Sequence, residues 1–401
     1  MKAIVCHVGS RREYAVPAAF AQADNLERFY TDLCSTNGLG RLAGPLSYIA
    51  PFGRGALSSL SHRTPPHAVA ARTVTFDGFG LGIRQRMRGA SPVEQLRQWN
   101  EIFEIFGQKM ISKGFGEADL FYSLMHEAGP ALAEARKRGM KTAADVYISP
   151  SWDRFLSEEY HRFPDWGEEP ARFSDALGKG CRPYANMIDN TDVLVCPSPF
   201  VRHDLIENFG VDSQRTVIVP YAVASHWLEL ETRPEPGRIL FLGTAELRKG
   251  IHHFALAAQK LRAEGDSYEF VVAGGVTTSI REKGEAMGLT FLGRVPRSKM
   301  PAELARADVV VLPSIAEGSA GATYEAMGAG IPLVATAATG AVARDGVEGI
   351  IMDFPDATRI AEALGTIVAD RTLRDRMSTA ARERARELTW EKFGERLRTS
   401  L

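Results

Sequence analysis

A chain of 401 residues with 45% hydrophobic and 24% charged residues has the composition of an ordinary globular protein and is long for one core, so two domains of similar size are expected. The formal net charge of -1 argues against a nucleic-acid binder, which would show a basic excess. No long apolar run is present and MKAIVCHV enters a strand-like pattern at once, so neither a transmembrane helix nor a signal peptide is indicated, and Cys6, Cys34, Cys181 and Cys196, without CxxC spacing, read as buried free thiols of a cytoplasmic protein.

Lys2 to Val8 reads as an apolar strand ending at Gly9-Ser10, followed by an Ala-rich helix from about Val16 to Ala23 and a second strand from Arg28 to Leu33. Gly9 directly after the first strand lets another molecule approach the backbone, although the three-glycine dinucleotide fingerprint is absent. From Gly38 to Ala90 the pattern is poor, rich in Gly, Pro and Ser, with Arg54, Arg63, Arg72, Arg84, Arg86 and Arg88 against the single acid Asp77. Two readings stand: an acceptor-side loop that meets an anionic partner or the inner face of a membrane, and a solvated insertion, which the lack of a clean apolar face favours.

Order returns at Ser91-Pro92-Val93-Glu94, a capping box with proline at the first helical position, opening a helix whose aromatics fall at core-packing intervals. Asp119 to Met125 is then a strand, Pro130 to Arg138 a helix and Lys141 to Ile148 another strand. Ligands collect at the carboxyl ends of strands in such βαβ units, and His126 stands at one. Helical material from Trp152 to Asn190, a strand from Asp192 to Val195, a Ser198-capped helix ended by Gly210, and a strand from Thr216 to Pro220 complete the first half. Pro234, Pro236 and Gly237 break the pattern and place the domain boundary between Val223 and Gly237.

The second half opens with a strand from Arg238 to Leu242, then Gly243-Thr244-Ala245-Glu246-Leu247-Arg248-Lys249-Gly250, then a helix to about Glu264. Arg248 and Lys249 are adjacent cations at the carboxyl edge of the expected sheet. Strands from Tyr268 to Ala273 and Thr290 to Leu292 lead into Gly274-Gly275 and Gly293-Arg294-Val295. The stretch Ala307 to Thr336 then gives a buried strand, Val309 to Leu312, the small-residue loop Glu317-Gly318-Ser319-Ala320-Gly321, and a helix from Ala322 to Ala329 stopped by Gly330 and Pro332. A helix start made of Gly, Ser and Ala leaves bare N–H groups and a positive dipole end, which suits phosphate. Glu317 and Glu325 bracket it, and carboxylates accept pairs of hydrogen bonds from vicinal hydroxyls. The expected ligand has phosphates in its middle and sugars at its ends.

Glutamate, seven residues, glutamate at Glu317 and Glu325, together with the Lys249-Gly250 pair, resembles the motif of the retaining glycosyltransferases of family 4 (glycosyl transferases group 1). The resemblance implies an α/β, GT-B architecture: two Rossmann-like domains facing across a cleft, residues 1–223 with the C-terminal helix 389–401 on the acceptor side and residues 224–388 on the donor side. It implies a retaining, metal-independent hexosyltransferase that uses a nucleotide-diphosphate sugar and a glycan, lipid-linked or small-molecule acceptor. Lys249 and Arg248 would take the diphosphate with the amides of Gly318, Ser319, Ala320 and Gly321. Glu325 would hold the ribose, Glu317 and His126 the donor sugar, and Gly9, Gly243, Thr244 and Arg294 would line the nucleotide path. No DxD motif occurs, so no metal is expected. Thr244 replaces the family's usual arginine, Ser319-Ala320 its Phe-Gly, Ala343 a glutamate and Ala222 a glycine. The alternatives are a non-catalytic nucleotide-sugar-binding relative and a GT-B sugar-nucleotide epimerase.

Overall fold

The computed structural model describes residues 1–42, 60–87, 89–167, 170–177, 184–265 and 267–401. Strands β1 (Ala3–Cys6), β2 (Leu26–Thr31), β3 (Thr73–Thr75), β4 (Leu120–Leu124), β5 (Lys141–Asp145), β6 (Val193–Cys196) and β7 (Thr216–Ile218) form one sheet in the order β3-β2-β1-β4-β5-β6-β7. β8 (Arg238–Leu242), β9 (Glu269–Ala273), β10 (Leu289–Gly293), β11 (Val309–Leu312), β12 (Leu333–Thr336) and β13 (Gly349–Met352) form a second, ordered β10-β9-β8-β11-β12-β13. Neighbours in both sheets pair in parallel. Parallel strands need crossovers that cover both faces, which explains why the central ones read as unbroken apolar runs.

Helices α1 (Ala15–Gln22), α2 (Pro92–Lys113), α3 (Pro130–Lys137), α4 (Trp152–Arg162), α5 (Pro199–Phe209), α6 (Ile251–Ala263), α7 (Gly321–Gly328), α8 (Ala357–Ala369), α9 (Arg371–Arg386) and α10 (Trp390–Thr399) supply most of that cover. Alternation along β1 divides the first core: Ile4 and Cys6 pack with Phe103 and Phe106 of α2, while Ala3 and Val5 pack with Phe20 of α1 and Phe393 and Leu397 of α10. The last helix therefore returns to the first sheet, where the Arg398 guanidinium donates to the Ala19 carbonyl at 2.6 Å. In the second half Ile239 and Phe241 pack toward α6 and α8, and Leu240 and Leu242 toward α7 and α9.

The expected capping box forms, with Glu94 N–H donating to Ser91 Oγ at 3.3 Å and Ser91 N–H to Glu94 Oε2 at 3.1 Å. Cys6, Cys34 and Cys196 are buried free thiols; Cys181 lies outside the described residues. Two expectations change. The Gly38–Ala90 stretch is not a solvated insertion where it is described: β3 extends the first sheet, and Val69 and Ile83 are buried. A three-residue edge strand offers too few positions for alternation to be read. Arg54 and Arg88 lie outside the described residues, and Arg63 is tied to Asp32 at 2.8 Å. Second, α4 and the turn after it precede the expected boundary, yet Leu156, Tyr160, Phe163 and Trp166 pack into the second core. Among the described residues no helix is long and apolar enough to cross a membrane.

Asp308, fully buried before β11, joins the second domain's ends. It accepts from Arg371 at 2.6 and 2.9 Å, from Arg374 at 3.0 Å and from the Gly237 N–H at 2.9 Å. Asp308→Ala would take the buried carboxylate from Arg374, leaving its guanidinium only the exposed carboxylate of Asp375 at 3.3 Å, so the unfolding free energy measured in urea should fall by about 3–5 kcal/mol. An unchanged urea midpoint would show that this carboxylate is not the tie.

Candidate active site

The carboxyl edge of the second sheet assembles the cationic pair. After β8 the chain passes Gly243 and the exposed Thr244 and makes a single tight turn, Leu247–Lys249, closed by Gly250 in the left-handed conformation. A side chain at Gly250 would put Cβ 1.9 Å from the Pro313 carbonyl oxygen, so only glycine lets this turn rest against the end of β11. Lys249 Nζ and the Arg248 guanidinium both reach Glu317 Oε1, each at 2.7 Å, and Arg248 also holds Glu246 at 2.7 Å. The structure thus brings Arg248, Lys249 and Glu317 into one contact and puts Gly243 beneath it, where an added Cβ would lie 3.1 Å from Lys249 Cδ.

The loop from Glu317 to Gly321 is divided between two jobs. Gly318 is a junction: an added Cβ would lie 1.7 Å from the Tyr147 carbonyl oxygen, and its own carbonyl accepts from Ser198 Oγ of the first half. Ser319 is buried, donating to the Gly340 carbonyl at 2.7 Å and lying 2.9 Å from the Tyr324 hydroxyl, which in turn accepts the Tyr221 N–H at 3.1 Å. The Ala320 N–H donates to the Thr339 carbonyl at 3.0 Å, so this amide is not open to a ligand. This corrects the expectation of a run of bare N–H groups, and it follows from the neighbouring Ala337–Thr339 turn, which sets a carbonyl against the loop. Gly321, the first residue of α7, faces open space.

Gly321, Tyr324 and Glu325 form one wall of a cleft of about 790 Å³. Ser10, Arg12 and Glu13 from the turn after β1, and Tyr221 to Ala224 from the connection between the halves, form much of the rest. Burial pushes the Glu325 carboxyl above its ordinary range, opposed by the charge of Arg297. Arg297, also in the cleft wall, pairs with Glu13 at 2.9 Å, joining the two halves across the mouth. Arg294 is exposed on the loop after β10, and it is Arg297 that reaches the cleft.

On the first sheet Gly9 uses its N–H internally, donating to Asp32 Oδ1 at 2.7 Å. His126, after β4, stands edge-on to Phe103 and Tyr184 with ring centroids 5.0 and 5.1 Å away, and burial lowers its pKa to about 4. Beside it Glu127, fully buried, accepts from the Val8 N–H at 2.8 Å and pairs with Arg11 at 3.3 Å; burial pushes its carboxyl up to about 7 against the pull of Arg11. Arg12 pairs with both oxygens of Asp145 and lies 3.7 Å from the centre of the Tyr221 ring. Arg12, Glu13 and Tyr14 have φ of 47, 53 and 65°, three left-handed residues in succession without a glycine. Sequence reading passed over Arg12, Glu127 and Arg297. Glu127 adjoins the flagged His126 and Arg12 follows the flagged Gly9 by three residues, which was their signal; Arg297 carried none.

Two parallel sheets, with the start of α7 lining the cleft and the cationic turn held on the loop just before that helix, give the chain the GT-B fold. In its second half, residues 229–384 match the family model described as glycosyl transferases group 1. Among curated relatives, the chain is 26% identical to a glycogen synthase of Mycobacterium tuberculosis over 60% of this chain and 60% of that protein. It is 30% identical to a D-inositol 3-phosphate glycosyltransferase of Xylanimonas cellulosilytica over 50% and 54%. It therefore spans only about half to three fifths of these relatives' length. Anabaena HepE, solved in complex with UDP-glucose, superposes at a TM-score of 0.63 with 14% identity, covering 100% of this chain and 99% of that one. The lipopolysaccharide glycosyltransferase WaaG superposes at 0.59 with 15% identity, covering 98% of each.

The burial of neutral His126 has a pH signature. Its folded pKa lies below that of the unfolded chain, so its share of stability is lost as pH falls from about 6.5 toward 4. His126→Phe, which keeps an aromatic ring against Phe103 and Tyr184, should gain on the wild type by up to about 1.4 kcal/mol per pH unit in that window. Denaturation curves at pH 7, 5.5 and 4.5 measure the gap, and a gap that stays constant would mean the imidazole is not held neutral.

Proposed function

We propose that the protein transfers a sugar from a nucleotide-diphosphate sugar to a hydroxyl acceptor with retention of configuration. The observation that carries this reading is the convergence of Lys249 and Arg248 on Glu317, on the loop that leads into α7, whose first turn with Gly321 and Glu325 lines the cleft. As a glycosidic bond to a diphosphate breaks, negative charge gathers on the leaving group, and preorganised cations lower the barrier by an amount that can reach several kcal/mol. Lys249, Arg248 and the Gly321 end of α7 supply positive charge there from the protein itself, and in this reading no metal is needed. Glu317 holds both cations in place before the donor arrives and offers its carboxylate to sugar hydroxyls once the phosphate takes them over. Glu325 accepts from the ribose hydroxyls, and His126, neutral, approaches the donor sugar from the other domain. A nucleotide sugar as donor is supported by the UDP-glucose bound to HepE and by the glycosyltransferase names among the relatives. Closure of the two halves excludes water and so favours transfer over hydrolysis.

A second reading, binding without turnover, is favoured by Thr244 and Ala343, where the family's arginine and glutamate are missing. Incubation with UDP-, GDP- and ADP-sugars and a panel of hydroxyl acceptors separates the two: nucleotide release with a new glycoside supports transfer, and saturable binding with no release under any pairing supports the second. Lys249→Ala should lower turnover by about 10²-fold or more with an unchanged circular dichroism spectrum, and wild-type turnover in that variant would remove the phosphate assignment. Glu325→Ala should weaken nucleotide affinity about tenfold, roughly 1.4 kcal/mol, in a calorimetric titration; unaltered affinity would count against the ribose contact.

A further inference from the structure

Beneath the cationic turn lies a buried group that the proposed reaction does not use. Glu159 on α4 sends Oε1 to two imidazoles at once, His252 Nε2 at 2.8 Å and His253 Nε2 at 2.7 Å, while Arg162 donates to its other oxygen at 2.8 Å. All three members of the triad are buried, and Phe163 closes over His252 with ring centroids 4.6 Å apart. His252 and His253 are the second and third residues of α6, whose first turn follows Lys249-Gly250 directly. Two further contacts pin the same turn: the Ile315 N–H donates to the Arg248 carbonyl at 2.8 Å, and Gly250 abuts Pro313. Lys249 is thus held on one side by the strand end that leads to Glu317 and on the other by a carboxylate from the first half of the sequence.

We propose that Glu159 is a positioning residue for Lys249: through His252 and His253 it fixes the start of α6, and with it the height and direction from which the lysine ammonium meets a diphosphate. This rests on reading Lys249 as the phosphate contact. Burial keeps His252 neutral by lowering its pKa to about 4, so this imidazole donates N–H to the buried carboxylate without bringing a further cation beside Arg248 and Lys249. The three ligand atoms also lie within 4.8 Å of one another, the donor set of a divalent-ion site. Arg162 on the second carboxylate oxygen and the direct contacts of Oε1 with both rings favour the hydrogen-bonded clamp instead.

Glu159→Leu removes both acceptor oxygens, and Glu159→Gln keeps one acceptor while losing the charge; if the leucine variant does not fold, the glutamine variant carries the comparison. Calorimetric titration with UDP, GDP and ADP should show affinity reduced about tenfold in Glu159→Leu and about threefold in Glu159→Gln. In a Lys249→Ala background the same changes should have no further effect, because the group being positioned is gone. Additive losses in that double-mutant cycle would overturn the proposal. Hydrogen exchange measured without ligand should rise across residues 244–254 in the Glu159 variants and stay at wild-type rates elsewhere; unchanged exchange in that segment overturns the proposal whether or not any nucleotide binds. If the wild type binds none of the three nucleotides, the reading of Lys249 as a phosphate contact falls, and the exchange measurement still decides whether Glu159 holds the turn. Stoichiometric zinc retained by the purified wild type and lost in Glu159→Leu would also overturn it, replacing the clamp with a metal centre.

Discussion

One carboxylate oxygen organises the carboxyl edge of the second sheet. Glu317 Oε1 takes both Arg248 and Lys249 at 2.7 Å, in a half-buried place where two cations left to themselves would repel each other. That counter-charge lets the pair pack beside the end of β11, and in the proposed reaction a diphosphate arriving at the same spot would find the cations already gathered. Ordering the side chains before binding removes part of the entropy cost that binding would otherwise carry. The same economy explains why the flanking backbone is so constrained: Gly243 and Gly250 leave room for the lysine stem and for the turn, and neither tolerates a side chain without moving the cation.

The halves are joined by more than the peptide that links them. Gly318 lies on the Tyr147 carbonyl, Ser198 caps the Gly318 carbonyl, and Tyr324 takes the Tyr221 N–H, so the loop that carries Glu317 is also the seat of the domain contact. Helix α10 returns to the first sheet and α4 reaches into the second core, so each domain holds a piece that sequence order assigns to the other. Any change in the angle between the sheets therefore acts directly on the groups around the cationic turn.

Much of the architecture was legible in the sequence because central parallel strands are buried on both faces and announce themselves as short apolar runs; β8 and β11 were placed to the residue. The cationic turn and the two glutamates were legible for a different reason, since Gly, Lys and Glu at fixed offsets around strand ends have few other uses. What was not legible depends on contacts between segments far apart in the chain. The role of Gly318 is set by Tyr147, the loss of the Ala320 amide by Thr339, and the burial of Glu159 by two histidines more than ninety positions away. The edge strand β3 was missed because three residues carry no period.

The turn after β1 stands apart from all of this. Arg12, Glu13 and Tyr14 each occupy backbone that L-residues avoid at roughly 1–2 kcal/mol apiece, and the grip of Arg12 on Asp145 and Tyr221 is what keeps them there. The shape of this rim of the cleft is consequently conditional on one ion pair: a change that takes Asp145 from Arg12 removes the contact that offsets the torsional cost of three successive left-handed residues.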